Sequence, residues 1–488
     1  MENKLKRKFG LLMAMCMVVG TIIGSGIFFR NEEIVAYAGG RMWIGIAAWA
    51  IGGFITLAFA YVLGVLSTRH EKVGGLLDYS DVLVGEKFGY MFGWFMATFF
   101  YPSMTGILAW ISARFTVELF GWHTTRGVNQ FFSGETFAIA LVYLVAIYVI
   151  NTLSPKISEK IQISGTFIKI IPLIGMGIVG LIAGLANGVT LENLSYVVAE
   201  TPVRGVMNIQ IGYYPAGSAF LSALIATVFA YVGFDCVMNL NSEIKNAKRN
   251  LPIALTGGLL IITAIYVLYF VGIFGAAYTE TLASGGTRTA FTNIFTETGG
   301  TILFVFIVIS CLGTLNGLTV AGQRAFYAIA ARRRGPKPEI FGQVDAATNM
   351  PNNSAALNLL LIAVWMFING AQQAGWFSYL SFLLPESGNI EVFRFNIAAL
   401  IPITFNAFFI PMFIMVMVKQ KDLGIFNRFI APGIATAGAI FLIYAVIQRE
   451  EWVVAYYLAL FAVVMCGGWL LHKRKEAKQV ADVAESPE

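Results

Sequence analysis

Apolar runs long enough to cross a bilayer recur along the whole chain, and no other feature narrows the possible folds as far. A helical crossing takes about 20 residues. Twelve stretches approach or exceed that length: 11–29, 43–66, 89–115, 136–152, 162–185, 219–241, 253–277, 300–330, 354–370, 395–418, 429–448 and 452–471. Runs of this length without strict alternation are helices rather than barrel strands. Composition agrees, with 57% of residues hydrophobic and 12% charged, where a soluble domain is nearer half and a quarter. The expected organisation is a cytoplasmic segment over 1–10, one transmembrane domain over 11–471, and a disordered cytoplasmic tail over 472–488.

An even number of spans puts both termini on one side. The loops on that side carry 23 of the 33 Lys and Arg residues, and the opposite loops carry seven. This asymmetry places both termini in the cytoplasm and accounts for the net charge of +6 without any nucleic-acid partner. The basic clusters KLKRK, ARRRGPK and HKRK then anchor loops at an anionic leaflet. The expected location is the plasma membrane, which is the inner membrane in a bacterium. Cys16, Cys236, Cys311 and Cys466 all fall inside spans, and His70, His123 and His472 fall in loops or the tail. Neither a disulfide framework nor a metal or cofactor site is expected.

Two spans are interrupted. The first reads VVGTIIGSGIFF, with Gly20, Gly24 and Gly26 around Ser25. Each glycine costs about 1 kcal/mol in a helix relative to alanine, so the cluster favours unwinding at mid-membrane depth. The sixth carries Gly233 and Asp235 near its middle. Spans one and six each open one half of a five-plus-five inverted repeat, and broken helices at matching positions point to a midplane binding site. Unwinding after Ile23 frees the amides of Gly24, Ser25 and Gly26 at the positive end of the following half-helix, which suits a carboxylate. Freed carbonyls before the break, and around Phe229, Ala230 and Tyr231, suit an ammonium. A zwitterionic α-amino acid satisfies both. A close helix-packing face at Gly20 and Gly24 is the simpler alternative for span one taken alone.

Three segments then resemble one family. GTIIGSGIFF in span one, FAYVGFDCVMNLNSEIKNAKRNLPIAL in span six and SCLGTLNGLTVAGQRAFYAIAARRRG in span eight are similar to signatures of the amino acid–polyamine–organocation (APC) superfamily. The nearest branch is that of the L-type amino acid transporters and their bacterial exchanger relatives. The resemblance implies an all-α integral membrane protein of the LeuT-type fold, with 12 transmembrane helices, a 5+5 inverted repeat and discontinuous helices 1 and 6. It implies alternating access, and an aromatic gate at Phe229. A heavy chain linked through an extracellular cysteine is not expected, because the outer loop from Thr116 to Glu135 has no cysteine. Val65 stands where the branch usually carries a glutamate. The outer segment between Gln372 and Arg394 has no counterpart in that family picture.

Lys169, inside span five, needs a partner because burying an ammonium costs several kcal/mol. Sodium-coupled members of this fold bind Na⁺ between helices one, five and eight. The resemblance implies that the Lys169 ammonium replaces that ion, bonding carbonyls near Val19 and Gly20 and a hydroxyl of Ser310 or Thr314. Transport should then be sodium-independent. A lysine that changes protonation would couple transport to protons, and one that stays charged would suit exchange. Snorkelling to the cytoplasmic face is the alternative.

Asp235 has two open roles, capping the second half of helix six or facing the cavity. Arg324 is expected to close an inner gate or to pair with loop carboxylates. The side-chain pocket is expected to be lined by Ile23, Ile27, Phe229, Phe234 and residues of helices three and eight. That apolar lining favours neutral L-amino acids. The alternatives are proton-coupled symport of cationic or broad-range amino acids, and a membrane amino-acid sensor. Among the spans there is one carboxylate and no catalytic triad, so an enzyme is disfavoured. A channel would need a polar pore.

Overall fold

The computed structural model describes residues 7–24, 26–69, 75–122, 134–196, 203–204, 210–211, 216–373, 397–450 and 453–484. Nearly all of them are helical. Nine helices among them are long and apolar enough to cross a membrane. The three other expected spans are the ones the chain interrupts. Span one is split into Leu11–Ile22 and Gly26–Tyr37, and span six into Ala216–Ala230 and a 3₁₀ helix, Phe234–Glu243. Span three runs Glu86–Phe95 and Tyr101–Phe120 around a π-helical turn at Met96–Phe100, an irregularity the sequence reading did not anticipate.

The remaining spans are Met42–Arg69 (two), Gly134–Leu153 (four), Pro155–Ala186 (five), Ala247–Ala276 (seven), Thr279–Gly322 (eight), Asn352–Gln373 (nine), Ile397–Lys419 (ten), Ala431–Glu450 with a preceding π turn (eleven) and Val453–Ala484 (twelve). Span twelve corrects one expectation. Its helix continues through Ala484, across most of the stretch 472–488 read as a disordered tail, and His472 stacks on Tyr90 with ring centroids 4.7 Å apart. The outer segment 372–394 falls almost wholly outside the described residues.

Spans five and seven meet backbone to backbone. A side-chain carbon at Gly180, Gly184, Gly272 or Gly275 would collide with the other helix's main chain. Small residues permit this approach, which is how helices associate where lipid offers no hydrophobic drive. Span five carries Lys169 and span seven carries Tyr266, so the packing sets both beside the break in span one.

Candidate functional site

The backbone at the first break shows why it persists. Helix geometry ends at Ile22, and Ile23 turns extended with φ −70° and ψ 92°. The Ile23 amide still bonds Val19 O at 2.9 Å. Carbonyls beyond that point lose their helical donors, and a buried unpaired carbonyl costs about 1–3 kcal/mol. Lys169 answers two of them. Its Nζ donates to Gly20 O and Ile23 O at 2.6 Å each, with Ser310 O at 3.1 Å and Thr314 Oγ1 at 3.3 Å. The residue is 0% exposed, so snorkelling does not occur. Four oxygens from spans one and eight surround the ammonium, and none belongs to a carboxylate. Two details differ from the sequence reading. Ile23 rather than Val19 supplies the second carbonyl, because the Ile23 amide already occupies Val19 O. Ser310 offers Lys169 its carbonyl, while its hydroxyl donates to Ile23 O at 3.2 Å.

The second break mirrors the first. Helix six stops at Ala230, and Gly233 has φ 117°, a backbone region that L side chains rarely enter. Gly26 lies against this stop: a side-chain carbon there would come 2.8 Å from Ala230 Cα. The Tyr266 hydroxyl of span seven sits between the two broken helices, 3.2 Å from Ile22 O and 3.1 Å from Ala230 O. Nothing in the sequence reading pointed to Tyr266.

A small cavity of about 20 Å³ lies between the breaks. Span one lines it with Thr21, Ile22, Gly24 and Gly26, span three with Met104 and Leu108, span six with Ala230 and Val232, and span eight with Thr314 and Leu318. Gly24, Gly26 and Ala230 are therefore on the wall. Ile23 and Ile27 are buried off it. Phe234 turns away onto Phe405 and Phe409 of span ten, with centroids 6.3 and 6.4 Å apart, because the chain restarts after Gly233 in a new direction. The Tyr231 side chain also leaves the site, donating to Trp49 O at 2.8 Å. Ser25 and the Phe229 side chain lie outside the described residues.

Asp235 is fully buried at the start of the 3₁₀ segment. It does not cap that segment: the cap position is Gly233, with no side-chain cap bond. Its Oδ2 accepts from the Tyr101 hydroxyl at 2.7 Å, which in turn accepts from Asn239 Nδ2 at 2.8 Å. Asp235 Oδ1 has no hydrogen-bond partner. Asp235 is not among the cavity-lining residues.

Away from the cavity, contacts join the N-terminal segment, the end of span six and Arg324. Arg324 grips Glu243 with Nε–Oε1 at 2.5 Å and Nη2–Oε2 at 3.3 Å. Lys8 reaches the same carboxylate at 2.9 Å. Main-chain bonds add to this: the amides of Lys8 and Phe9 donate to Glu243 O at 2.8 and 3.0 Å, and the Lys245 amide donates to Phe9 O at 2.8 Å. Burial alone would raise the Glu243 carboxyl, but the Arg324 guanidinium and the Lys8 ammonium outweigh it and hold the carboxyl below its ordinary 4.5. Arg332 and Arg334, past span eight, pair with Asp78 and Asp81 between spans two and three and with Glu86 at the start of span three. Among the described residues no cluster of metal-ligating side chains occurs.

This geometry joins two broken helices, a cation among backbone carbonyls and a cavity between them. Comparison with known proteins decides the family. The amino acid permease family profile matches residues 9–469. The chain belongs to the amino acid permease family. The permease is 31% identical over 371 residues to the serine/threonine exchanger SteT of Bacillus subtilis, covering 75% of this chain and 78% of that one. It is 25% identical over 407 residues to the human cystine/glutamate transporter, covering 78% and 75%. It is also 25% identical over 387 residues to the human b(0,+)-type amino acid transporter 1, covering 75% and 74%. The crystal structure of MhsT in complex with L-phenylalanine superposes with a TM-score of 0.54 at 14% identity, covering 94% of this chain and 100% of that one. At that identity the likeness concerns the fold, which is of the LeuT type. The protein is an amino acid transporter of the APC superfamily, a multi-pass membrane protein, and its family and relatives are transporters rather than enzymes.

Proposed function

We propose that this permease exchanges small neutral L-amino acids across the plasma membrane without sodium, with both termini in the cytoplasm. The observation that carries the reading is the Lys169 ammonium, held by Gly20 O, Ile23 O, Ser310 O and Thr314 Oγ1. A protein-borne cation at the junction of spans one, five and eight leaves no vacancy there for an external ion. The cavity supports neutral cargo, since no charged side chain lines it. The printed name of SteT, a serine/threonine exchanger, agrees with exchange. The carboxylate of the cargo would meet the amides at Gly24 and Gly26, and its ammonium the carbonyls of the two breaks. The Lys8–Glu243–Arg324 cluster would be the inner gate, closed in this structure.

Uptake of labelled neutral L-amino acids into sodium-free proteoliposomes tests the reading. Uptake into vesicles preloaded with unlabelled amino acid, with little into empty ones, is the expected result. A strict sodium requirement overturns the role given to Lys169. Asp235 supports a second reading, proton-coupled symport, because its Oδ1 is buried and unpartnered. Uptake into empty vesicles driven by an inward pH gradient would favour that reading.

A further inference from the structure

A helix leaves its last carbonyls without helical donors. Ile22 closes the first half of span one, and Ala230 closes the first half of span six. Both residues are buried and both line the cavity. The Lys169 ammonium serves Gly20 O and Ile23 O, on either side of Ile22 in the chain. The Tyr266 hydroxyl serves one carbonyl at each helix end, Ile22 O at 3.2 Å and Ala230 O at 3.1 Å. Tyr266 is 0% exposed and is not among the residues that line the cavity. It therefore reaches both carbonyls from behind the cavity wall.

The hydroxyl is held there by its surroundings. The Tyr266 ring packs edge-on against Trp49, with centroids 5.0 Å apart, and against Tyr231 at 5.3 Å. Trp49 is itself anchored: its Nε1 donates to Asn31 Oδ1 at 3.1 Å, and Asn31 Nδ2 donates to Ile27 O at 2.7 Å. The Tyr231 hydroxyl donates to Trp49 O at 2.8 Å. Span seven also presses on the first half of span one, since a side-chain carbon at Gly258 would come 2.8 Å from Val18 Cγ1. Spans two and seven, both unbroken, thus form a bracket for the two broken helices. Two carbonyl oxygens that converge on one hydroxyl carry like partial charges, and the hydroxyl hydrogen between them offsets their repulsion. Each carbonyl has two lone pairs, so an oxygen bonded from behind can still accept from a donor in the cavity.

We propose that Tyr266 is a positioning residue for amino acid binding, whose hydroxyl ties Ile22 O to Ala230 O and so sets the spacing of the two helix ends that receive the α-ammonium of the cargo. This rests on the reading of the cavity as an amino acid site. The tie acts on main-chain carbonyls, so it serves every α-amino acid alike and takes no part in choosing among side chains. Without the hydroxyl, both oxygens lose a donor and are free to part. Capture of the ammonium weakens, and the later steps of exchange are untouched.

The test uses the full-length protein in preloaded proteoliposomes, with labelled L-alanine and L-valine compared in the wild type, Tyr266→Phe and Tyr457→Phe. Phenylalanine keeps the ring and removes only the hydroxyl. Tyr457 is the matched control, a fully buried tyrosine whose hydroxyl bonds Thr404 at 2.6 Å in another part of the bundle. Tyr266→Phe should raise the KM of both amino acids by the same factor, roughly tenfold for one neutral hydrogen bond, with both maximal rates per folded protein unchanged. Tyr457→Phe should leave both KM values as in the wild type. A purely structural role would lower the maximal rate and leave KM alone. The assignment is overturned if Tyr266→Phe leaves KM unchanged, if it shifts alanine and valine by different factors, or if Tyr457→Phe raises KM as much. Any of these with wild-type exchange intact sinks Tyr266 alone. If Tyr266→Phe does not fold, 3-fluorotyrosine placed at position 266 keeps the shape and strengthens the donor. Both KM values should then fall about twofold, and unchanged or raised values overturn the assignment. Absence of any amino acid exchange in the wild type removes the cavity reading and this assignment together.

Discussion

The protein neutralises buried cations in two unlike ways. At mid-membrane, Lys169 is held by neutral oxygens, two of which, Gly20 O and Ile23 O, are free to accept because span one is broken. At the end of the molecule that carries the N-terminal segment, Arg324 and Lys8 are held by a carboxylate, Glu243. The first arrangement depends on backbone geometry, and straightening the helix would destroy it. The second depends on charge. On the proposed reading, maintenance of the site falls to Lys169 and access to the site to the Glu243 cluster.

The largest expected effect comes from removing the mid-membrane cation. Lys169→Met should lower exchange on the order of 100-fold, since several carbonyls lose a charged donor together. Lys169→Arg should not restore it, because a planar fork cannot replace a compact ammonium. Near-normal exchange by either variant, measured in the same vesicles, would erase the distinction between the two regions. Next in size is the gate. Arg324→Leu leaves Glu243 buried with only the partly exposed Lys8, and breaking such a pair costs about 3–5 kcal/mol. Cys16 and Cys236, both buried, should then react faster with a polar thiol reagent applied from the cytoplasmic side. Lys8→Met should produce a much smaller increase, since solvent already screens that pair.

The smallest effect concerns pH. The Glu243 carboxyl is held below 4.5 by its partners. A carboxyl lowered in the closed state contributes stability that is present above its ordinary value and lost as pH falls beneath it. Labelling of Cys16 should therefore stay nearly flat from pH 8 to pH 5 and rise only below about 4.5. A rise near pH 6 would assign the titration to another group.

Much of this was legible in the sequence. Glycines around Ser25 marked the first break, a lone lysine in span five called for acceptors, and the three family-like segments implied the fold. The Arg324 cluster was half-legible: Arg324 was expected to close an inner gate or to pair with loop carboxylates, but NLNSEIKN did not single out Glu243 at the end of the 3₁₀ segment. Side-chain direction was harder. Phe234 was read as pocket lining, yet a left-handed Gly233 redirects the chain after the break and sends the ring to span ten. Such a redirection depends on dihedral angles that composition does not encode. Tyr266 and Tyr101 were invisible among 19 tyrosines, because their roles come from helix packing rather than from local pattern.

Tyr266 has one hydroxyl hydrogen and two carbonyls within reach, Ile22 O and Ala230 O. Whichever it serves, the other waits. In the proposed cycle a cargo ammonium would supply the missing donor, so a vacant carrier would bear a deficit that a laden one does not have. The journey back without freight would then be the slow leg, and turnover would be governed by what is available on the far side to ride home.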